Sequence, residues 1–174
     1  MTKACKAAAI AVTMFLPLAA AADYDVGPNT SAAYASECGS CHFAYQAGLL
    51  PARSWRGIMS NLHDHFGDNA EVAVKARQAI QEYLVAHAAD VSDNQRSRAV
   101  MESLDRAEVP LRVTTSPYIA GVHGGLLDPL RGGQPRMESL GDCNACHLTA
   151  NEGAFRARRY TVSDEAFRAT RSVR

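Results

Sequence analysis

Two pentapeptides of one pattern hold most of this chain's reactive side chains: Cys38-Gly39-Ser40-Cys41-His42 and Cys143-Asn144-Ala145-Cys146-His147. Cys-x-x-Cys-His is the attachment pattern of c-type haem. The spacing carries the chemistry. Two thiols separated by two residues reach the two vinyl groups of one haem and become thioethers, and the next residue offers its imidazole to the iron. Cys38, Cys41, Cys143 and Cys146 are therefore the candidate covalent anchors, and His42 and His147 the candidate proximal ligands, of two haems. A redox disulfide or half of a zinc site also uses Cys-x-x-Cys. The repetition of the whole pattern, histidine included, argues for haem at both places, and no thioredoxin-like βαβ pattern surrounds either.

The remaining cysteine supports this reading. Of five cysteines, four sit in the motifs, and Cys5 falls in Met1-Thr2-Lys3-Ala4-Cys5-Lys6. That stretch reads as the positive n-region of a signal peptide, followed by an apolar run from Ala7 to Leu18 and an Ala-x-Ala cleavage site at Ala20-Ala21-Ala22. Residues 1–22 are thus expected to be removed. The apolar run is short, Ala-rich and interrupted by Pro17, so no membrane span is expected after cleavage. Export to the periplasm agrees with the chemistry, because bacteria attach haem covalently outside the cytoplasmic membrane.

Charge excludes one class of partner. The chain has 18 basic and 18 acidic residues, and loss of Lys3 and Lys6 leaves 16 against 18. A near-neutral chain of this kind gives no footprint for nucleic acid. Aromatic residues make up only 7% of the chain, a thin supply for a core. Two haems would compensate, each being a large apolar body on which short helices pack.

The elements that must position these residues read as helices. Period-2 alternation of β-branched residues is nearly absent, whereas Ala, Arg and Glu are plentiful. The fold class expected is mainly α: small haem-centred helical modules around two covalent c-type haems, with little or no sheet. Four or five helices are expected. One covers about Ser31 to Phe43, and a second runs from Pro51, as its first residue, to about Phe66. A third covers Ala70 to about Ala89, and a short one Gln95 to Arg106. The polar run Asp90-Val91-Ser92-Asp93-Asn94 offers a boundary between an N-terminal haem module, residues 23–91, and a C-terminal one, residues 92–174 with an Arg-rich tail. Pro110 to Pro135 reads as irregular. A faint repeat joins the halves: an acidic residue, Glu37 or Asp142, precedes each motif, and a glycine, Gly48 or Gly153, lies six residues beyond each proximal histidine.

The sixth position on each iron decides the function. A histidine there closes the iron at low potential, a methionine raises the potential, and an open position admits small molecules. His63, His65, His87 and His123 are the non-proximal histidines. On the second helix, Trp55, Ile58, Met59, Leu62 and Phe66 form one apolar face, and His63 and His65 flank it equally. Periodicity leaves both open. His87 competes from inside the stripe Ala76, Ile80, Tyr83 and Leu84, where a core or haem-edge role suits it as well. In the second half His123 is the one non-proximal histidine, with Met137 as the competing ligand.

The residues also carry a resemblance. Cys38 to His42, then Leu50-Pro51-Ala52-Arg53-Ser54-Trp55, His65-Phe66-Gly67, Tyr83-Leu84 and Pro117-Tyr118 leading to His123 and the second motif resemble the di-haem cytochrome c family. The resemblance spans nearly the whole chain after the signal segment. It implies bis-histidine ligation at both irons, with His65, the histidine before Phe-Gly, as distal ligand of the first and His123 of the second. It implies a periplasmic electron carrier, not an enzyme. The redox partners it implies are a small oxygen-binding c-type cytochrome, the sphaeroides haem protein, and a membrane cytochrome b. The competing functions are a peroxidase or reductase with one open haem, or a haem-based gas sensor. Di-haem peroxidases are longer chains, and no signalling domain is evident.

Arg53 and Arg56, one helical turn apart beside Trp55, offer a pairing for a haem propionate, or a solvated face. The arginines from Arg156 to Arg174 suit an acidic redox partner or anionic lipid, but more simply a solvated tail.

Overall fold

The computed structural model describes residues 25–124 and 140–155. The expected signal segment, Met137 and the Arg-rich tail lie outside these residues. Among the described residues the chain is helical, with short 3-10 turns and no strand; one isolated bridge joins His65 and Asp68. The helices are α1 (Ala32–Glu37), α2 (Ala52–Ser60), α3 (Val74–Ala86), α4 (Gln95–Glu102), α5 (Pro117–Val122) and α6 (Cys143–Cys146).

Local chemistry sets the ends. The Ser31 hydroxyl accepts from the Tyr34 amide and starts α1, which stops at Glu37, ahead of the first motif. Pro51 is the N-cap of α2 and has no side chain to cap it. Asp90 supplies one from outside: its carboxylate accepts from the Ala52 amide at 2.8 Å. The polar run around Asp90 thus fastens to the start of α2, and the Ala89 amide donates to the Leu50 carbonyl at 2.9 Å.

The second helix is shorter than expected. It ends at Ser60, not near Phe66, because Asn61 leaves the helical region (φ −131°, ψ 44°) and turns its side-chain amide onto the Asp64 carbonyl. Asparagine competes with its own backbone in this way. A 3-10 turn, Leu62–Asp64, follows, and His65 comes after it. The expected irregular stretch also contains a helix, α5, with Pro117 in its first turn and His123 as its C-cap.

One apolar cluster runs through the described residues. Trp55 and Met59 of α2, Ile80 and Leu84 of α3, Val26, Val113, Ile119 and Phe155 are all buried in it. Arg96 of α4 binds Asp25 through its backbone and its guanidinium, and the Phe155 amide donates to the Asp25 carboxylate at 2.6 Å. The residues just before α1 therefore strap α4 and the segment after the second motif together.

The two repeat-related glycines serve this strap. A Cβ on Gly48 would lie 2.7 Å from a Val26 methyl and 2.6 Å from the Ser97 hydroxyl. A Cβ on Gly153 would run into the Val26 carbonyl, and Gly153 itself is left-handed, at φ +76°. Both glycines are thus needed for close approach to the same residue, one from each half.

Candidate haem-binding sites

The two motifs are built differently. In the first, Cys38 is the C-cap of α1 and the rest is a series of turns that delivers His42. In the second, Cys143 to Cys146 forms a single helical turn, α6, with His147 as its C-cap. Residues of both motif regions, among them Gly39, Cys41, His42 and Asn144, line one cleft of about 490 Å³.

The thiols do not resemble those of a redox pair. Burial, with Glu37 second, pushes the Cys38 thiol up to about 11, and burial, with Asp142 second, does the same to Cys143, also to about 11. Redox-active Cys-x-x-Cys pairs instead have a depressed thiol. Nor do three His, Cys, Asp or Glu side chains converge among the described residues, as a zinc site would need.

Each motif histidine has a second imidazole at a matched distance. The His42 and His65 ring centres are 6.2 Å apart with planes 9° from parallel. The His123 and His147 centres are 6.0 Å apart with planes at 87°. Two imidazoles bonded to opposite sides of one metal, at about 2 Å each, hold their ring centres roughly 6 Å apart. Both separations fit an iron between the rings. Hydrogen bonds leave the right nitrogen for it. The Nδ1 of His42 lies 2.8 Å from the Phe43 carbonyl and that of His123 2.7 Å from the Ile119 carbonyl. A carbonyl only accepts, so Nδ1 carries the proton and Nε2 is left as the basic nitrogen.

His65 sits at the start of a tight turn. Its amide donates to the Asp68 carbonyl at 2.7 Å, and the Asp68 amide donates back at 3.3 Å. The two residues between, Phe66 and Gly67, have φ of +61° and +104°. Such a reversal needs positive φ at both central positions, which a glycine supplies freely and a phenylalanine does not. The Phe66 ring is covered by the Arg112 guanidinium, 3.8 Å from its centre. His-Phe-Gly is therefore a turn that presents an imidazole, not a helix end. Burial foremost, then His42 and Arg112, holds the His65 imidazole below its ordinary pKa, in the neutral form that binds metal.

The other two candidates lie elsewhere. His63 is exposed on the 3-10 turn. His87 is exposed at the end of α3, with its ring 4.6 Å from Tyr83 and its Nδ1 on the Tyr83 carbonyl.

Two side chains of α2 bond to backbone carbonyls. The Arg53 guanidinium donates to the backbone carbonyls of Glu108 and Asp105. Trp55 donates from Nε1 to the Ala47 carbonyl at 2.8 Å and packs edge-on against Tyr34. The cation beside the first histidine pair is Arg112, which has no sequence neighbour in either motif.

A family profile described as dihaem cytochrome c matches residues 34–155, from α1 through both motifs to Phe155. The chain belongs to the dihaem cytochrome c family. It is 36% identical to the diheme cytochrome c from Rhodobacter sphaeroides, with a TM-score of 0.64, over 75% of this chain and 100% of that one. A second structure, DHC purified from the same organism, gives 35% identity and a TM-score of 0.59, over 74% and 99% of the two chains. The diheme cytochrome type c from Shewanella baltica OS155 gives 35% identity and a TM-score of 0.54, over 72% and 86%. No curated protein sequence matches the chain. Membership brings with it two c-type haems and a haem-based electron-transfer role, and so redox partners. Among the described residues no helix is long and apolar enough to cross a membrane.

Proposed function

We propose that this dihaem cytochrome is a periplasmic electron carrier whose two irons are each closed by a histidine pair, His42 with His65 and His147 with His123. The observation that carries this reading is the matched pair of ring separations, 6.2 Å and 6.0 Å, around two independent motifs. When bound, the haems supply reversible one-electron chemistry at iron. The chain's own residues do the rest. Cys38, Cys41, Cys143 and Cys146 anchor the two groups, one in each half, 23–91 and 92–174. The paired imidazoles keep small molecules off the irons, so the protein passes electrons on instead of activating a substrate. The N-terminal signal pattern and the need for haem attachment outside the cytoplasm support the periplasmic location.

The resemblance to dihaem carriers supports a small oxygen-binding c-type cytochrome as acceptor and a membrane cytochrome b as donor. The direct test is optical and magnetic spectroscopy of the purified protein. All the haem should be low-spin, with no methionine-to-iron charge-transfer band, and the reduced protein should bind carbon monoxide poorly. Rapid stoichiometric carbon monoxide binding at either haem would refute the carrier reading in favour of an enzyme or sensor.

A further inference from the structure

We infer that the two irons are electronically different because the protein sets the planes of their imidazole pairs differently, parallel at the first and crossed at the second, with Phe155 as the residue that positions the crossed pair. The inference rests on the bis-histidine reading. The angles are 9° for His42 and His65 and 87° for His123 and His147.

Each plane has an identifiable cause. His42 is held by its Nδ1 bond to Phe43, the carbonyl of the next residue, and lies 5.6 Å from Tyr45. His65 rests against Phe66, 4.7 Å away, in the tight turn. In the second pair His123 is tied back to Ile119, one turn earlier in α5, so its plane follows the helix. His147 meets the edge of Phe155, with ring centres 5.6 Å apart at 67°. Phe155 is itself fixed. It is buried, its amide is bound to Asp25, and the Arg96 guanidinium lies 5.6 Å from its ring centre. A buried ring held this firmly against His147 is the neighbour placed to set its plane.

The angle matters because an imidazole donates π density mainly perpendicular to its own plane. Two parallel imidazoles raise one of the two iron d orbitals of π symmetry above the other. Two crossed imidazoles raise both equally and leave them nearly degenerate. In low-spin ferric iron the first case gives a rhombic electron paramagnetic resonance spectrum with three resolved features. The second gives a strongly anisotropic spectrum dominated by one feature at much higher g.

The oxidised holoprotein should therefore show both spectra in equal amounts. The signals are assigned with His65→Ala, which should remove the rhombic signal and leave the high-g one. Phe155→Leu should move the high-g feature toward the rhombic range while the first haem's signal stays, and that signal serves as an internal control for folding. Two signals of the same kind in the unsubstituted protein would overturn the inference while leaving bis-histidine ligation intact. A high-spin signal there would overturn both. An unmoved high-g feature in Phe155→Leu would remove Phe155 from the positioning role, and a high-g signal that vanishes with His65→Ala would reverse the assignment.

Discussion

Tyr45 and Gly141, 96 residues apart, are tied by one hydrogen bond: the Tyr45 hydroxyl donates to the Gly141 carbonyl at 2.9 Å. The same tyrosine ring lies 5.6 Å from that of His42. One side chain thus touches the histidine of the first motif and the backbone just before the second motif. Burial, helped by Cys143 and Asp142 and opposed by Arg112, pushes the phenol up to about 12, so it remains a donor at any physiological pH.

Tyr45→Phe keeps the ring and deletes the bond. A hydrogen bond of this kind contributes about 0.5–1.5 kcal/mol net. The variant should load both haems and lose stability of that order, seen as a lower denaturant midpoint with an unchanged slope. A midpoint equal to that of the parent protein would show that the tie between the motifs adds nothing.

Trp55→Phe should cost more. It removes the shorter of two bonds to the buried Ala47 carbonyl, which keeps the 3.4 Å bond from the Leu50 amide, and it leaves space where the larger ring was. The lost bond, about 0.5–1.5 kcal/mol, adds to the cost of shrinking a buried ring, about 1 kcal/mol or more, which together lower the thermal midpoint by several degrees, roughly 3–9 °C. Since Trp55 acts through packing with Tyr34 and this bond, the haem spectra should be unaffected. A spectral change without a fall in midpoint would instead place Trp55 against a haem.

Arg112 gives a charge effect that is readable as a potential. Reduction adds one negative charge at an iron, and a nearby cation favours it. Arg112 covers Phe66 and acts on His65, so Arg112→Gln should lower the potential of the first haem by roughly tens of millivolts in low salt, and by less in high salt. The second haem should move less. A spectroelectrochemical titration at two ionic strengths measures both, and equal shifts at the two haems would contradict the placement.

Much of this was legible in the sequence, and for uneven reasons. The Cys-x-x-Cys-His motifs declare themselves because covalent attachment demands fixed types at fixed spacing. The helical class followed from composition, and the start of α2 from Pro51. The end of α2 was missed because hydrophobic periodicity continues through Leu62 and Phe66 while Asn61 breaks the backbone. Periodicity reports which side of the chain is apolar, not whether the chain is still helical. The turn at Phe66 and Gly67 was hidden for a related reason, since a phenylalanine at positive φ contradicts local preference. Helix α5 was legible after all, in Ser116-Pro117, a start signal overlooked among many prolines and glycines. Arg112 carried no local signal, because its meaning arises only when the segment before it, tied to Arg53 of α2 at Asp105 and Glu108, brings it beside a turn 46 positions earlier.

The choice among His63, His65 and His87 is the sharpest test of the first site. Helical phase left His63 and His65 equivalent because it assumed one helix through both. With that helix ended at Ser60, the two histidines belong to different structures: His63 to an exposed 3-10 turn, His65 to a hydrogen-bonded reversal whose ring lies 6.2 Å from His42. His87 is exposed at the end of α3, and its ring packs on Tyr83 of its own helix instead of facing His42. His65→Ala should therefore open one iron of two. About half of the haem should become high-spin and bind carbon monoxide when reduced. His63→Ala and His87→Ala should leave the spectra as they are. Gly67→Ala should act in the same direction as His65→Ala but less completely, since at φ +104° a methyl group strains the turn without removing the imidazole. If His87→Ala opens the site and His65→Ala does not, the distal ligand comes from α3, and the His-Phe-Gly turn has another purpose.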